Sequence, residues 1–565
     1  MGTEGGDNIP FWNARYGRQV SSGRWLLAME SVGITMLDFL VPGITNITKH
    51  ARYYSLHAWL LKRFLDASSN HSEKEFRKFR SPIEMAFALS FCLHHAENRL
   101  TGIDQSDVLR SLWSSEKKEF DLNQDKHPFR SSEWIYHSVM RQLKIAQDDP
   151  DDRLVGSLVN PLGKTLAEEF ENNIQGTEFY ALLEKGKPLT KISRKALLEL
   201  ADRACLCRMT DGGKERDTLQ ELLFRFDLKG ADAPIQYGNR RQTLLLFLDM
   251  VRQRAGKKFE GSDFEDLAYY WKHDARAGYA PPKHLTEIAE YWRLFWARQQ
   301  LVYAILTYFA YLLSDINGRT VTLGSFLTKT IESLDLKGLA SELSVDLKWT
   351  DPEKLLVGDL ISAMQKTVGM KNSKTDDWTA FDRLHGHTSP LSESRIIDAI
   401  YGDLKNATPR TFVARATICL LAVFLRIRPY LNTSYVGFLQ FGEEGNNYRV
   451  STSSFFRELE TRLALNDFTV AKFVRWIFEE YAVSQHMRVA FAKWRTGNDT
   501  FAFVQDGDTI HGLIKKNPQF NNMRLQEILT MLEDIGLIAG KGDKSYVLTK
   551  RGKDALEAGK DFYAS

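Results

Sequence analysis

The chain has 565 residues, of which 43% are hydrophobic and 12% aromatic, enough for roughly two to four domains with sizeable cores. A formal net charge of +3 excludes a protein whose whole surface binds polyanions, so any nucleic-acid contact has to be local. Four cysteines, Cys92, Cys205, Cys207 and Cys419, exclude a disulfide scaffold and fit a reducing, cytoplasmic setting.

The opening MGTEGGDNIP has no basic segment followed by an apolar one, so no secretory leader is expected, and Gly6 stands where N-myristoylation requires Ser or Thr. Residues 1–45 are aromatic and punctuated by glycine. Pro42 and Gly43 break the chain, and Asn46 or Thr48 can cap a helix reaching Leu65. Its apolar face would be Tyr53, Leu56, Leu60 and Phe64, with the basic residues in solvent; the alternative is a basic-aromatic surface that meets nucleic acid. Arg52 and His57 also match the arginine-to-histidine spacing of the HEPN ribonucleases, as do Arg130 and His137. That resemblance implies a helical RNA-cutting pocket with Arg52 and His57 as catalytic residues. The polar residue that follows the family's arginine is replaced by Tyr53 in the first match, whereas Ser131 keeps it in the second.

Residues 70–130 read as further helices. Cys92, His94, His95 and Glu97 lie close together, but the nearest other cysteines are Cys205 and Cys207, in a C-x-C spacing that is unusual for zinc. Buried free cysteines are the expected explanation, with no metal and no cofactor. Ile135, Val139 and Leu143 mark one helix face, the acidic loop Asp148–Asp152 follows, and Leu154–Val159 has strand-like runs. Asn160 and Pro161 then open a helix. Gly156, Gly163, Lys164 and Thr165 imitate a phosphate-binding loop, yet six residues separate the glycines where that loop needs four. Leu244–Arg254 is a buried-type helix, and Thr286–Leu313 is a long one carrying Trp292, Phe295, Trp296, Tyr303, Tyr308 and Tyr311 as core. The longest apolar run, Leu301–Leu313, is thirteen residues, short of the about 20 needed for a membrane span, so a soluble protein without membrane contact is expected.

Gly369–Arg395, which holds His385 and His387, reads as a linker or lid. Helices resume at Ser392. Thr469–Arg495 is the clearest basic-aromatic tract, and its Lys472, Arg475, Arg488, Lys493, Trp494 and Arg495 are candidate nucleic-acid contacts. Phe501–Leu513 suggests a hairpin. In the stretch Asn522–Ala558, Leu525, Ile528, Leu529, Leu532 and Ile535 form a helix face that Gly536 ends. Leu537–Ala539 and Tyr546–Leu548 flank a turn, and Thr549 caps a last helix. This order resembles the winged helix family, which implies a DNA-binding fold with Lys541 and Lys544 at the wing tip. Val159–Ala167 and Leu548–Leu556 share an apolar residue, a cap, two free positions, Gly and Lys, which marks 131–170 as a weaker copy. Glu527, Glu533 and Asp534 on the groove-facing helix, and the acidic loop at the first wing, oppose simple duplex binding.

The expected fold is mainly α and multi-domain, with β-hairpins near 147–160 and 536–548. The divisions are 1–130 helical, 131–170 winged-helix-like, 171–315 helical, 316–400 irregular, 401–500 helical and 501–565 winged helix. The expected role is a nucleic-acid-associated component of a prokaryotic multi-protein system, with anti-phage defence as one setting and protein partners implied. The alternatives are a HEPN-like ribonuclease using Arg52 and His57, or a scaffold that recruits an effector. With no G-x-S-x-G, no H-E-x-x-H and no intact P-loop, the reading leans away from an enzyme.

Overall fold

A computed structural model describes residues 25–564 except 96–108, 110–117, 124–132, 148–155, 159–160, 210–212, 229–234, 255, 273–277, 368–390, 407–410, 444–448, 496–498, 518 and 520–521; at 133–135, 137, 208, 236 and 403–406 it describes the backbone alone. Arg130, the acidic loop Asp148–Asp152, the pair His385 and His387 and the His137 side chain therefore lie outside the described residues. The protein is mainly helical with small antiparallel sheets. It forms two compact units, one made of residues 1–36, 269–275 and 293–521, the other of 37–268, 276–292 and 522–565.

In the first unit, the Arg293–Ile316 part of the helix Thr286–Ile316 and the helix Phe412–Ile427 are apolar on most sides and buried, as that pattern requires. Arg426 and Glu393 form a buried ion pair, at 2.9 Å between Nε and Oε1, which Tyr269 and Tyr270 complete by donating to the same carboxylate. The expected hairpin is Phe503–Asp506 with Thr509–Gly512, turned at Gly507 with a φ of +57°. Thr320–Thr322 adds a third strand, which the sequence reading missed because three residues carry too little alternation to register. The basic-aromatic tract is one helical run: Val470–Trp476, a π-helical segment Ile477–Ser484, and Gln485–Trp494. Thr469 caps it by accepting from the Lys472 N–H. Trp476 Nε1, just before the π segment, and Tyr481 Oη within it both donate to the Glu458 carboxylate, at 2.8 and 2.7 Å.

The second unit contains an antiparallel strand pair at each of the two expected places. Leu525–Asp534, Ile538–Gly540, Tyr546–Leu548 and Lys550–Ala564 follow in helix–strand–strand–helix order. Glu133–Gln142, Ala146–Gln147, Ser157–Leu158 and Pro161–Ile174 repeat that order. The likeness extends to the backbone. Lys144 and Gly536 both turn left-handed, and Ile145 N–H and Leu537 N–H close the same six-residue cap onto Met140 O and Leu532 O. An added Cβ at Gly163 would come within 2.9 Å of Ile145 O, and one at Gly552 would overlap Leu537 O. Each copy also packs on an earlier helix, Arg52–Ala67 for the first and Ile235–Arg254 for the second.

Arg52–Ala67 is buried nearly all round, which corrects the expectation of solvated basic residues. The residues just before it are held by a distant segment: Lys49 pairs with Glu527, and His50 Nδ1 lies 3.1 Å from Asp534, which also accepts the Ala51 N–H at 2.8 Å. Residues 70–130 are not helical throughout, because Glu119–Asp121 pairs antiparallel with Lys191–Ser193.

Candidate functional site

In the first unit, the sequence-predicted nucleic-acid residues separate into exposed and tethered groups. Arg488 and Arg495 are exposed, Arg475 is half-buried, and neither Arg475 nor Arg495 forms an ion pair among the described residues. Arg488 donates to the Glu480 carbonyl at 3.4 Å and lies 3.8 Å from the carboxylate of the same residue. Lys472 is paired with Asp467. Lys493 donates to the Trp25 carbonyl at 2.8 Å, and burial lowers its pKa against the pull of Glu30. Trp494 is half-buried. Phe491, not among the predicted contacts, is 51% exposed and stands edge-on to Phe501 at 5.2 Å. Arg488, Phe491 and Arg495 follow at three and four residues, so a helix places them on one face. Lys515 is exposed and Lys516 lies near Lys493 and Glu30, whose carboxyl pKa burial raises. The adjacent lysines at 515 and 516 were the signal that a wider reading of the tract would have caught.

In the second unit, Lys541 is exposed at the hairpin tip, and Lys544 beside it pairs with Glu260 at 3.0 Å. The helix Leu525–Asp534 is mostly buried, with Gln526 and Glu533 exposed. Glu527 and Asp534 face inward to Lys49 and His50, so these two acids are internal partners of the unit. Counting charge along the sequence gives them the wrong role, because it contains no information on facing.

Arg52 and His57 share the helix Arg52–Ala67, but they do not line an open site. Arg52 is 2% exposed; Nε and Nη2 grip Glu215 at 3.2 and 3.1 Å, while Nη1 and Nη2 donate to the Cys205 and Arg203 carbonyls. The Glu215 carboxylate is further held by Asn173 at 2.7 Å. His57 stacks on Tyr136 with ring centroids 4.3 Å apart, and burial, with Arg80 adding, lowers its pKa to about 3. Two concavities of this unit, of about 460 and 490 Å³, are lined by groups such as Asp217, Arg551 and Asp554, and Arg252, Lys553 and Glu557, and contain neither Arg52 nor His57.

The same unit assembles a cluster that spacing along the chain had argued against. His94 ends the helix Glu73–His94, and His95 is its C-cap, turned out of helical geometry at φ −105° and ψ 36°. Cys205 caps the helix Arg194–Ala204 in extended geometry, and Cys207 sits in the short turn Leu206–Arg208. One ligand atom from each of the four side chains lies within 4.8 Å of the other three. His95 Nε2 is 3.2 Å from Cys205 Sγ, across 110 residues of sequence. The hydrogen bond from Cys205, followed by the two imidazoles, lowers the Cys207 thiol to about 5, while that bond and burial raise Cys205. Buried free cysteines were the expectation; Cys205 is buried, but Cys207 is exposed. Cys92 is buried and lies outside the cluster.

Comparison with protein-family models, with curated proteins and with solved structures finds no match to this chain.

Proposed function

We propose that this protein is a nucleic-acid-associated component of a prokaryotic multi-protein system, with anti-phage defence as its candidate setting, and that it binds single-stranded nucleic acid along the end of the Thr469–Arg495 tract. One observation carries the reading: an exposed aromatic, Phe491, lies between two exposed arginines, Arg488 and Arg495, on one helical face. Bases stack on such a ring while the guanidinium groups meet phosphates, a combination that tolerates any sequence. Arg475, Lys515 and Lys516 are further cations of this unit for a longer strand. The two helix–hairpin–helix copies of the second unit are read as winged-helix modules used mainly for packing, since the helix that would enter a groove spends its carboxylates inside the unit.

Fluorescence anisotropy with labelled single- and double-stranded DNA and RNA tests this. Arg488→Glu with Arg495→Glu should reduce single-strand affinity at least tenfold, and Phe491→Ala should cost about 1–3 kcal/mol. Lys493 is unsuitable for charge reversal, because its ammonium group holds the Trp25 carbonyl. A wild type that binds no probe at low salt would leave the scaffold reading in place. The ribonuclease reading requires RNA cutting that is lost in His57→Ala; the engaged, buried Arg52 speaks against it.

A further inference from the structure

We propose that His94, His95, Cys205 and Cys207 form a structural zinc site that staples the end of the helix Glu73–His94 to the junction after Arg194–Ala204. The donor set is two imidazoles and two thiols, the set that selects zinc in tetrahedral geometry. Four protein ligands fill the tetrahedron and leave no position for water or substrate, which makes the site structural. Tetrahedral zinc places such ligand atoms about 3.3–3.8 Å apart, and the four of this cluster already lie within 4.8 Å of one another.

Three features around the cluster point the same way. Adjacent residues inside a helix project about 100° apart, but the chain leaves helical geometry at the C-cap His95, and its ring joins that of His94 in the cluster. Asp202 Oδ1 is 3.8 Å from His94 Nδ1, a loose ion-pair contact that puts a carboxylate beside one ring nitrogen and away from Nε2. The backbone of Cys205 is pinned on both sides: its N–H donates to Ala201 O at 3.0 Å, and its carbonyl accepts from Arg52 Nη1 at 2.6 Å. Arg52, whose spacing to His57 resembles a nuclease motif, is thereby a positioning residue for the cysteine turn. The exposed Cys207 and the half-buried histidines leave the site open for metal loading.

The full chain, purified under reducing conditions, should contain about one zinc per chain by elemental analysis. Cys207→Ser and His95→Ala should each lose most of it, and Cys92→Ser should keep it. Co²⁺ added to the metal-stripped wild type should give the intense visible bands of a tetrahedral centre together with a thiolate-to-cobalt band in the near ultraviolet. This reading of the wild type stands even if a ligand variant fails to fold. Background zinc combined with a weak, octahedral cobalt spectrum would overturn the proposal. So would a Cys205–Cys207 disulfide persisting in the reduced protein, or zinc retained at full level in the Cys205→Ser, Cys207→Ser double variant.

Discussion

Arg52 and Glu215 show what a buried ion pair does in this protein. Both side chains are almost fully enclosed, and every nitrogen of the guanidinium has an acceptor. Arg52→Ala would leave the Glu215 carboxylate in a dry site with Asn173 as its remaining side-chain partner, so a loss of about 3–5 kcal/mol is expected in urea unfolding, while Arg52→Ala with Glu215→Leu should recover part of it. An Arg52→Ala protein of wild-type stability would remove the structural role. The buried histidines make a second prediction. His486 accepts the Ala502 N–H at 2.9 Å through Nε2 and donates from Nδ1 to Leu26 O, and burial lowers its pKa to about 4; His57 falls to about 3. In the unfolded chain both take a proton near pH 6.5. Above that pH neither state is protonated and there is no effect. Below it the unfolded state binds more protons, so stability falls by roughly 1.4 kcal/mol per pH unit for each ring until the folded pKa is reached. Urea midpoints at pH 7 and pH 5 should therefore differ, and His486→Gln should narrow the difference. An unchanged difference in that variant would show that His486 does not titrate on unfolding.

At the scale of elements, the two helix–hairpin–helix copies depend on one close approach each. Gly552 lies under the Leu537 carbonyl and Gly163 under that of Ile145, where the last helix of each copy crosses the residue before the first strand. A methyl group at either position must push backbone aside. Gly552→Ala, with the tighter approach, is expected to destabilise by about 1–3 kcal/mol, and Gly163→Ala by less, in thermal unfolding. Equal, negligible effects would mean that the crossing relaxes freely. The repeat was legible because cap, glycine and lysine recur at fixed spacing. The missed strands, Glu119–Asp121, Lys191–Ser193 and Thr320–Thr322, are three residues each and exist through pairing with remote partners.

For the molecule as a whole, a net charge of +3 means that the global field adds little to nucleic-acid affinity. The proposed contact is thus local and should involve few phosphates. If about four are neutralised, affinity for a single strand should drop about fiftyfold between about 50 and 200 mM salt, as read by anisotropy. A slope near zero would place the binding energy in something other than phosphate contact. Among the described residues, no helix is long and apolar enough to cross a membrane.

The sequence by itself determined the helical class, the long core helix, the Phe503–Gly512 hairpin and the two repeated units, because each rests on periodicity, caps or glycines within about forty residues. The tertiary structure decided which polar residues face inward. Arg52, His57 and Glu527 read as surface or site residues along the chain, yet they are buried, and the half-buried Asp534 turns to His50; the partners are ones that only folding supplies. It also decided the His94, His95, Cys205 and Cys207 cluster, since ligand geometry is a matter of distance in space, and packing the helix Glu73–His94 on Arg194–Ala204 brings together residues that the sequence keeps 110 apart.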